Sequence, residues 1–262
     1  DEYEKNTQRK SRRVFKATAE KMPLCLPIKK AGEVNFGYYT DGAEADIDTL
    51  KTVKSPKSVF FPQSEDMMRF RTGGGKIEIE DVRTEKGSFV LFGVRACDFK
   101  AFSVLDNVFL SEPVDTYYKE RRDSAVIFTL ACGKPQESCF CPVFGIDATQ
   151  PAGDVTCWLD EEALYLKANT DKGAEVLALT ANLQLEEGEE KVGKIIEESK
   201  KALEKLPFAR LDMSRFKPEN LNELFDSPLW QPLSEACLGC GACTFVCPTC
   251  QCFDIRDFRT DK

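Results

Sequence analysis

Histidine is absent from all 262 residues. That removes His-ligated zinc, Rieske centres and His-ligated haem, together with any histidine triad or histidine general base. Long apolar runs are also missing: no stretch reaches the length of a membrane span, and no signal-peptide core appears. No G-x-G-x-x-G follows a strand, so the dinucleotide-binding fingerprint is lacking. No acid–base pair stands out. Positive charge is in deficit, and the net charge of −8 argues against a dedicated nucleic-acid binder. The basic stretch from Arg9 to Arg13 reads as a solvated helix face. The chain opens on Asp1 rather than Met, so a missing or processed start is expected.

What is abundant is cysteine, at positions 25, 97, 132, 139, 141, 157, 237, 240, 243, 247, 250 and 252. Disulfide-rich secreted domains are usually much shorter and carry a secretion signal, so metal ligation in a reducing cytoplasm fits better. Cys237, Cys240, Cys243 and Cys247 are separated by two, two and three residues, and Pro248 follows. This is the bacterial-ferredoxin run for a [4Fe–4S] cluster. A cysteine every third residue lets one loop wrap several thiolates around a compact cube. Gly239 and Gly241 allow tight turns that bring amides near the sulfurs. Thiolates also suit zinc, as in a ribbon or knuckle. Zinc needs four ligands, however, and this stretch offers six counting Cys250 and Cys252.

Residues 1–22 read as a charged helix, and residues 23–90 as short strands and turns. Within them, the segment from Arg71 to Lys76 is only superficially a phosphate loop, because Ile77 stands where Ser or Thr is required. A turn into the alternating strand at Ile77 and Ile79 is the reading taken. Ser88 to Val94 is a continuous apolar run, as in a strand buried on both faces. Apolar residues at 99, 102, 105 and 109 then mark a helix, with Asp98 as candidate N-cap. Ala125 to Ala131 is a second buried strand. Strand, helix and strand make a βαβ unit with parallel strands.

Cys97 and Cys132 fall just past the carboxyl ends of those two strands, where ligands collect in open parallel sheets. Cys139 and Cys141 follow on a loop. Four thiols would thus converge at one sheet edge, as a second [4Fe–4S] site. Their spacing matches no ferredoxin run, and the competing reading makes Cys97 and Cys132 small core residues. Arg95 and Lys134, beside these cysteines, would offset the negative charge of a reduced cluster; the competing reading is plain surface charge. Cys25 and Cys157 have no partner at metal spacing and read as core or surface thiols. Thr156 to Ala168 reads as a hairpin turning at residues 160–162. Residues 188–206 read as an amphipathic helix ended by Pro207, with Val192, Ile195, Ile196, Ser199, Leu203 and Leu206 on one face. Residues 207–222 read as a linker to a small helical module. The expected fold class is an α/β domain with a βαβ-containing sheet over 1–206, followed by a small α-helical ferredoxin-like [4Fe–4S] domain over 207–262.

Several pieces recur together in order: Ser55-Pro56-Lys57, Phe60 to Ser64, Gly93 to Asp98, Asp115 to Lys119 with Arg121 and Arg122, Cys139-Phe140-Cys141, and Cys237 to Asp254. From about residue 50 onward the chain resembles the iron–sulfur beta subunit of soluble hydrogenases (sulfhydrogenases) and its counterpart in anaerobic sulfite reductase. The resemblance implies an electron-transfer subunit with two or more [4Fe–4S] clusters. It also implies partners: a flavin- and NAD(P)-binding subunit, and a catalytic subunit that is a hydrogenase, a sulfite reductase or linked to a heterodisulfide reductase. It makes the four central cysteines ligands. Family members continue to a second cysteine run, which is not found before Lys262. By the two-cluster rule the fourth cysteine of a run serves the other cluster. The sequence is therefore expected to be the first half of a dicluster module. Alternatively, Cys247, Cys250 or Cys252 completes a single cluster. Two other functions compete: a redox enzyme reducing a small sulfur compound or disulfide itself, and an assembly subunit whose metal only holds the fold.

Overall fold

The computed structural model describes residues 12–73, 75–83, 87–161, 163–179 and 188–259. A six-stranded mixed sheet organises the chain. β1 (Leu24–Lys30) pairs antiparallel with β2 (Glu33–Tyr38) and parallel with β5 (Phe89–Val94). β6 (Ala125–Leu130) runs parallel to β5, and β7 (Val155–Leu159) parallel to β6. β8 (Leu164–Ala168) closes the edge as the antiparallel half of the expected hairpin, whose turn includes Glu162, outside the described residues. β3 (Met68–Gly73) and β4 (Lys76–Asp81) form a separate two-stranded ribbon joined by the turn at Gly75.

The two central strands are fully buried because helices cover both faces of the sheet. Residues 12–19 form helix α1; the remainder of the expected N-terminal helix, 1–11, lies outside the described residues. Phe15 of α1 and Val176 of α4 (Asp171–Leu179) pack on Val90, Phe92, Val126 and Phe128. On the opposite face, α2 (Ala96–Phe109) sets Phe102, Leu105 and Phe109 against Phe89, Leu91 and Ile127. Tyr118 of α3 (Thr116–Ser124) and Phe60 join that layer. The side chains of β5 and β6 therefore alternate between two cores, which is why both sequences read as unbroken apolar runs.

Gly93 breaks the alternation. Its φ of 87° makes an irregularity between Phe92 and Val94, and Val94 consequently joins the α2 layer, the face opposite Phe92. A Cβ at Gly93 would stand 3.1 Å from Cδ of Pro27. α2 begins earlier than the sequence suggested. Its N-cap is Arg95, and Asp98 sits in the first turn instead of capping it. The reason is that β5 ends at Val94 and the chain turns directly into the helix.

α5 (Glu189–Glu204) ends before Pro207, with Ser199 and Leu203 buried. The segment read as a linker becomes helical at its end, in the Pro218–Asn220 3-10 turn and α6 (Leu221–Phe225). α7 (Trp230–Ser234) and α8 (Ala242–Val246) follow. No helix among the described residues is long and apolar enough to cross a membrane. Gly93→Val should lower stability by about 1–3 kcal/mol through its left-handed backbone and the Pro27 clash. A denaturant midpoint equal to wild type would show that the strand can straighten there.

Candidate iron–sulfur centres

β5, β6 and the crossover to β7 place the central cysteines. Cys97 is the second residue of α2, where the partial positive charge of a helix N-terminus favours a thiolate. Cys132 lies two residues beyond β6, buried, its amide held by the Ala148 carbonyl at 2.8 Å. Cys139 and Cys141 stand on the loop that follows. The Gln136 carbonyl holds the Cys139 amide at 2.9 Å, and Cys141 opens the Cys141–Phe144 3-10 turn. Lys51 Nζ ties this loop down by donating to Ser138 Oγ at 2.9 Å.

The structure brings these four thiols together. Cys97 hydrogen-bonds to Cys141, and Cys132 lies within electrostatic reach of Cys97, Cys139 and Cys141. The hydrogen bond, followed by burial and the charge of Asp98, keeps the proton on Cys97 and pushes its thiol up. As acceptor of that bond, Cys141 is held below the ordinary thiol value. Burial pushes Cys132 up to about 11, against the opposing pull of Arg95. Burial likewise raises the Asp98 carboxyl to about 6, countered by the Ser55 hydrogen bond and by Arg95. Leu203 and Leu206, at the end of α5, pack with Leu50, Cys132 and Cys141 and close the group from one side.

Arg95 is the buried cation of this region. One guanidinium nitrogen donates to the Ala131 carbonyl at 3.0 Å. The other reaches Ile47 at 2.9 Å and Thr49 at 3.2 Å. The same group hydrogen-bonds toward Cys132. Arg95 is thus no surface charge. Lys134, in contrast, is exposed on the loop after Cys132.

The C-terminal cysteines follow a different local logic. Gly239 and Gly241 both adopt left-handed backbone, with φ of 67° and 72°. The first turn aims the Gly239 amide at Cys237 Sγ, 3.4 Å away. The second starts α8, which carries Cys243. Cys237, Cys240 and Cys243 are exposed. Cys247 is half-buried. Burial works to raise its thiol, but hydrogen bonds from Thr249 and the Cys250 amide, with the charge of Lys57, bring it below the usual value. Cys250 and Cys252 are hydrogen-bonded to each other, which raises Cys252. Cys157 and Cys25 are buried in the two cores, as core thiols.

Sequence reasoning passed over Lys57. It lies in the Pro56–Val59 3-10 turn and donates from Nζ to the carbonyls of Cys247, at 2.5 Å, and Cys250, at 3.0 Å. The signal was its place in the Ser55-Pro56-Lys57 piece, which carried no chemistry of its own.

Among the described residues, no three Cys, Asp or Glu side chains stand ready in metal-holding geometry. The chemistry of the donor sets still fits an iron–sulfur cluster. Both are sulfur-only, one faces a buried guanidinium and a helix N-terminus, and the other accepts an amide hydrogen bond at sulfur. A separate cleft of about 500 Å³, between the β3–β4 ribbon and α3, is lined by no cysteine. Its Arg69, Arg83 and Arg121 are each paired with a carboxylate.

Residues 236–262 match the family described as 4Fe-4S dicluster domain. The chain is therefore an iron–sulfur protein. Along most of its length it is similar to the beta subunit of sulfhydrogenase 2 from Pyrococcus furiosus: 31% identity over 241 residues, covering 88% of this chain and 67% of that protein. The chain belongs to the sulfhydrogenase beta-subunit family. No solved structure matches it. The expected electron-transfer role holds at the level of an iron–sulfur subunit.

Replacing Arg95 by Met would leave three carbonyls without their donor. We expect a loss of about 3 kcal/mol or more in chemical unfolding. Arg69→Met, which removes an exposed ion pair, should change stability by less than about 1 kcal/mol. Equal effects of the two would remove the structural role assigned to Arg95.

Proposed function

We propose that this protein relays electrons, in a multi-subunit oxidoreductase, between a catalytic hydrogenase or reductase subunit and one that binds flavin and NAD(P). Two sulfur-ligand groups would serve it: a central one from Cys97, Cys132, Cys139 and Cys141, and a C-terminal one from Cys237, Cys240 and Cys243 with Cys247, Cys250 or Cys252. Residues 1–206 and 207–262 would form the two units that carry them.

One observation carries this reading: a single 3-10 turn touches both groups. Ser55 Oγ donates to Asp98, the neighbour of Cys97, at 3.1 Å and accepts from the Lys57 amide at 3.2 Å. Lys57 then bonds the carbonyls of Cys247 and Cys250. One short turn thereby contacts both groups, which supports a reading in which they work together.

A [4Fe–4S] cluster supplies a one-electron store whose potential responds to nearby charge and hydrogen bonds at sulfur. The chain's own residues do the rest. The ligating thiols give up their protons, among them the one Cys97 shares with Cys141. Arg95 opposes the charge that gathers at Cys132, and α2 turns its N-terminus to Cys97. Leu203 and Leu206 keep water from that side. The Gly239 amide orients Cys237. Lys134, exposed nearby, adds positive charge at longer range. The sulfhydrogenase relative's name as a beta subunit implies further subunits, and their proposed classes rest on the sequence resemblance to soluble hydrogenases and anaerobic sulfite reductase.

The Cys139→Ser, Cys141→Ser double variant should lose about four iron atoms per chain and one component of the electron paramagnetic resonance spectrum. Cys240→Ser should remove a different component. Unchanged iron and spectrum in the first variant would take the central group out of the relay. Proteins that copurify with the chain then identify the subunits it serves.

A further inference from the structure

Among the described residues, aromatic and polar side chains join the C-terminal cysteine segment to the α/β body. Phe253 lies near Phe61 and Phe109, with ring centroids 6.3 and 6.4 Å apart, and Lys54 sits 5.1 Å over the Phe245 ring. Lys57 makes the polar contact, to the carbonyls of Cys247 and Cys250. Its ammonium also lies within electrostatic reach of the Cys247 and Cys252 sulfurs. The lysine is itself held firmly. Ser55 caps its turn, Pro56 is buried at the turn's start, and Phe60 is buried with its carbonyl bonded by Arg121 Nε at 2.8 Å.

An ammonium placed this way does two things. It bonds the carbonyls at both ends of the Cys247–Cys250 turn to the body, which helps fix where those sulfurs stand. It also puts a positive charge beside them, and reduction adds a negative charge to a cluster held there.

We propose that Lys57 is a positioning residue for the C-terminal cluster segment: it seats the segment on the α/β body and raises the reduction potential of the cluster held there. The proposal rests on the reading that these cysteines bind a cluster, and its test separates the two.

Lys57→Met keeps the stem and removes the charge, whereas Lys57→Arg keeps the charge. Both are made in the full chain and compared with wild type by iron content, limited proteolysis and a redox titration followed by electron paramagnetic resonance. The signal of interest is the one that Cys240→Ser removes. With Lys57→Met its midpoint should fall by about tenfold in the one-electron equilibrium, or about 59 mV. Other signals should stay in place, and cleavage between residues 207 and 259 should quicken several-fold. Lys57→Arg should restore the midpoint. Iron lost from Lys57→Met but kept by Lys57→Arg would equally support positioning. A wild-type midpoint in Lys57→Met at full iron, or a shift as large in Lys57→Arg, would overturn the proposal. If wild-type protein shows no signal dependent on Cys240, the cluster reading fails instead. Proteolysis of Lys57→Met then decides the seating role: unchanged cleavage overturns it.

Discussion

Charge compensation is the constraint on which the rest of this structure depends. Thiols that bind iron must ionise, and several anionic sulfurs cannot share a small, partly dry volume unless positive charge faces them. The chain as a whole is acidic, with a net charge of −8, so its bulk charge gives no help. Compensation has to be local. For a cluster at the central cysteines it would come from Arg95 and the N-terminus of α2. For one at the C-terminal cysteines it would come from Lys57, with Lys54 nearby over Phe245. The same elements also build the core: α2 packs Phe102, Leu105 and Phe109 on the sheet, and the turn carrying Lys57 buries Pro56 and Phe60.

Arg95 shows how far back that placement reaches. The irregularity at Gly93 turns Val94 onto the α2 face. Arg95, the next residue, then reaches Ile47, Thr49 and Ala131 instead of packing under α2. One residue with left-handed backbone in β5 thus decides which side of the sheet edge receives the cation. The same step starts α2 immediately afterwards and puts Cys97 at the helix's second position. Cation and thiol thus both follow directly from a single kink.

Much of this was legible beforehand, and the remainder was not for definite reasons. The two buried strands, the crossover helix and the hairpin announce themselves through periodicity, which local sequence carries well. The cysteine run announces itself through spacing, and Gly239 and Gly241 turn as that spacing demands. Asp98 misled as an N-cap, since a side chain suited to capping is equally at home in the first turn of a helix. Arg95 and Lys134 looked alike in sequence, each two residues from a cysteine. They differ because one follows a bulge into the interior and the other sits on an open loop. Lys57 was illegible because its partners are backbone carbonyls 190 and 193 residues away, and carbonyls leave no mark in a sequence.

The motif residues without evident chemistry find a reason in the same account. Asp115 caps α3, accepting from the amides of Tyr117 and Tyr118. That start brings Tyr118 and Arg122 to Asp106 of α2, at 2.7 and 3.1 Å, and Arg121 to the Phe60 carbonyl. Arg122 also lies against the rings of Phe60 and Phe102. The net effect is to hold the C-terminal end of the Pro56–Val59 turn through Phe60, while Ser55 at its start bonds Asp98 of α2. The turn that presents Lys57 to the cysteine loop is thus bonded at both ends. Asp115 to Arg122, far in sequence from the C-terminal cysteines, thereby bear on that loop through the one short turn they contact.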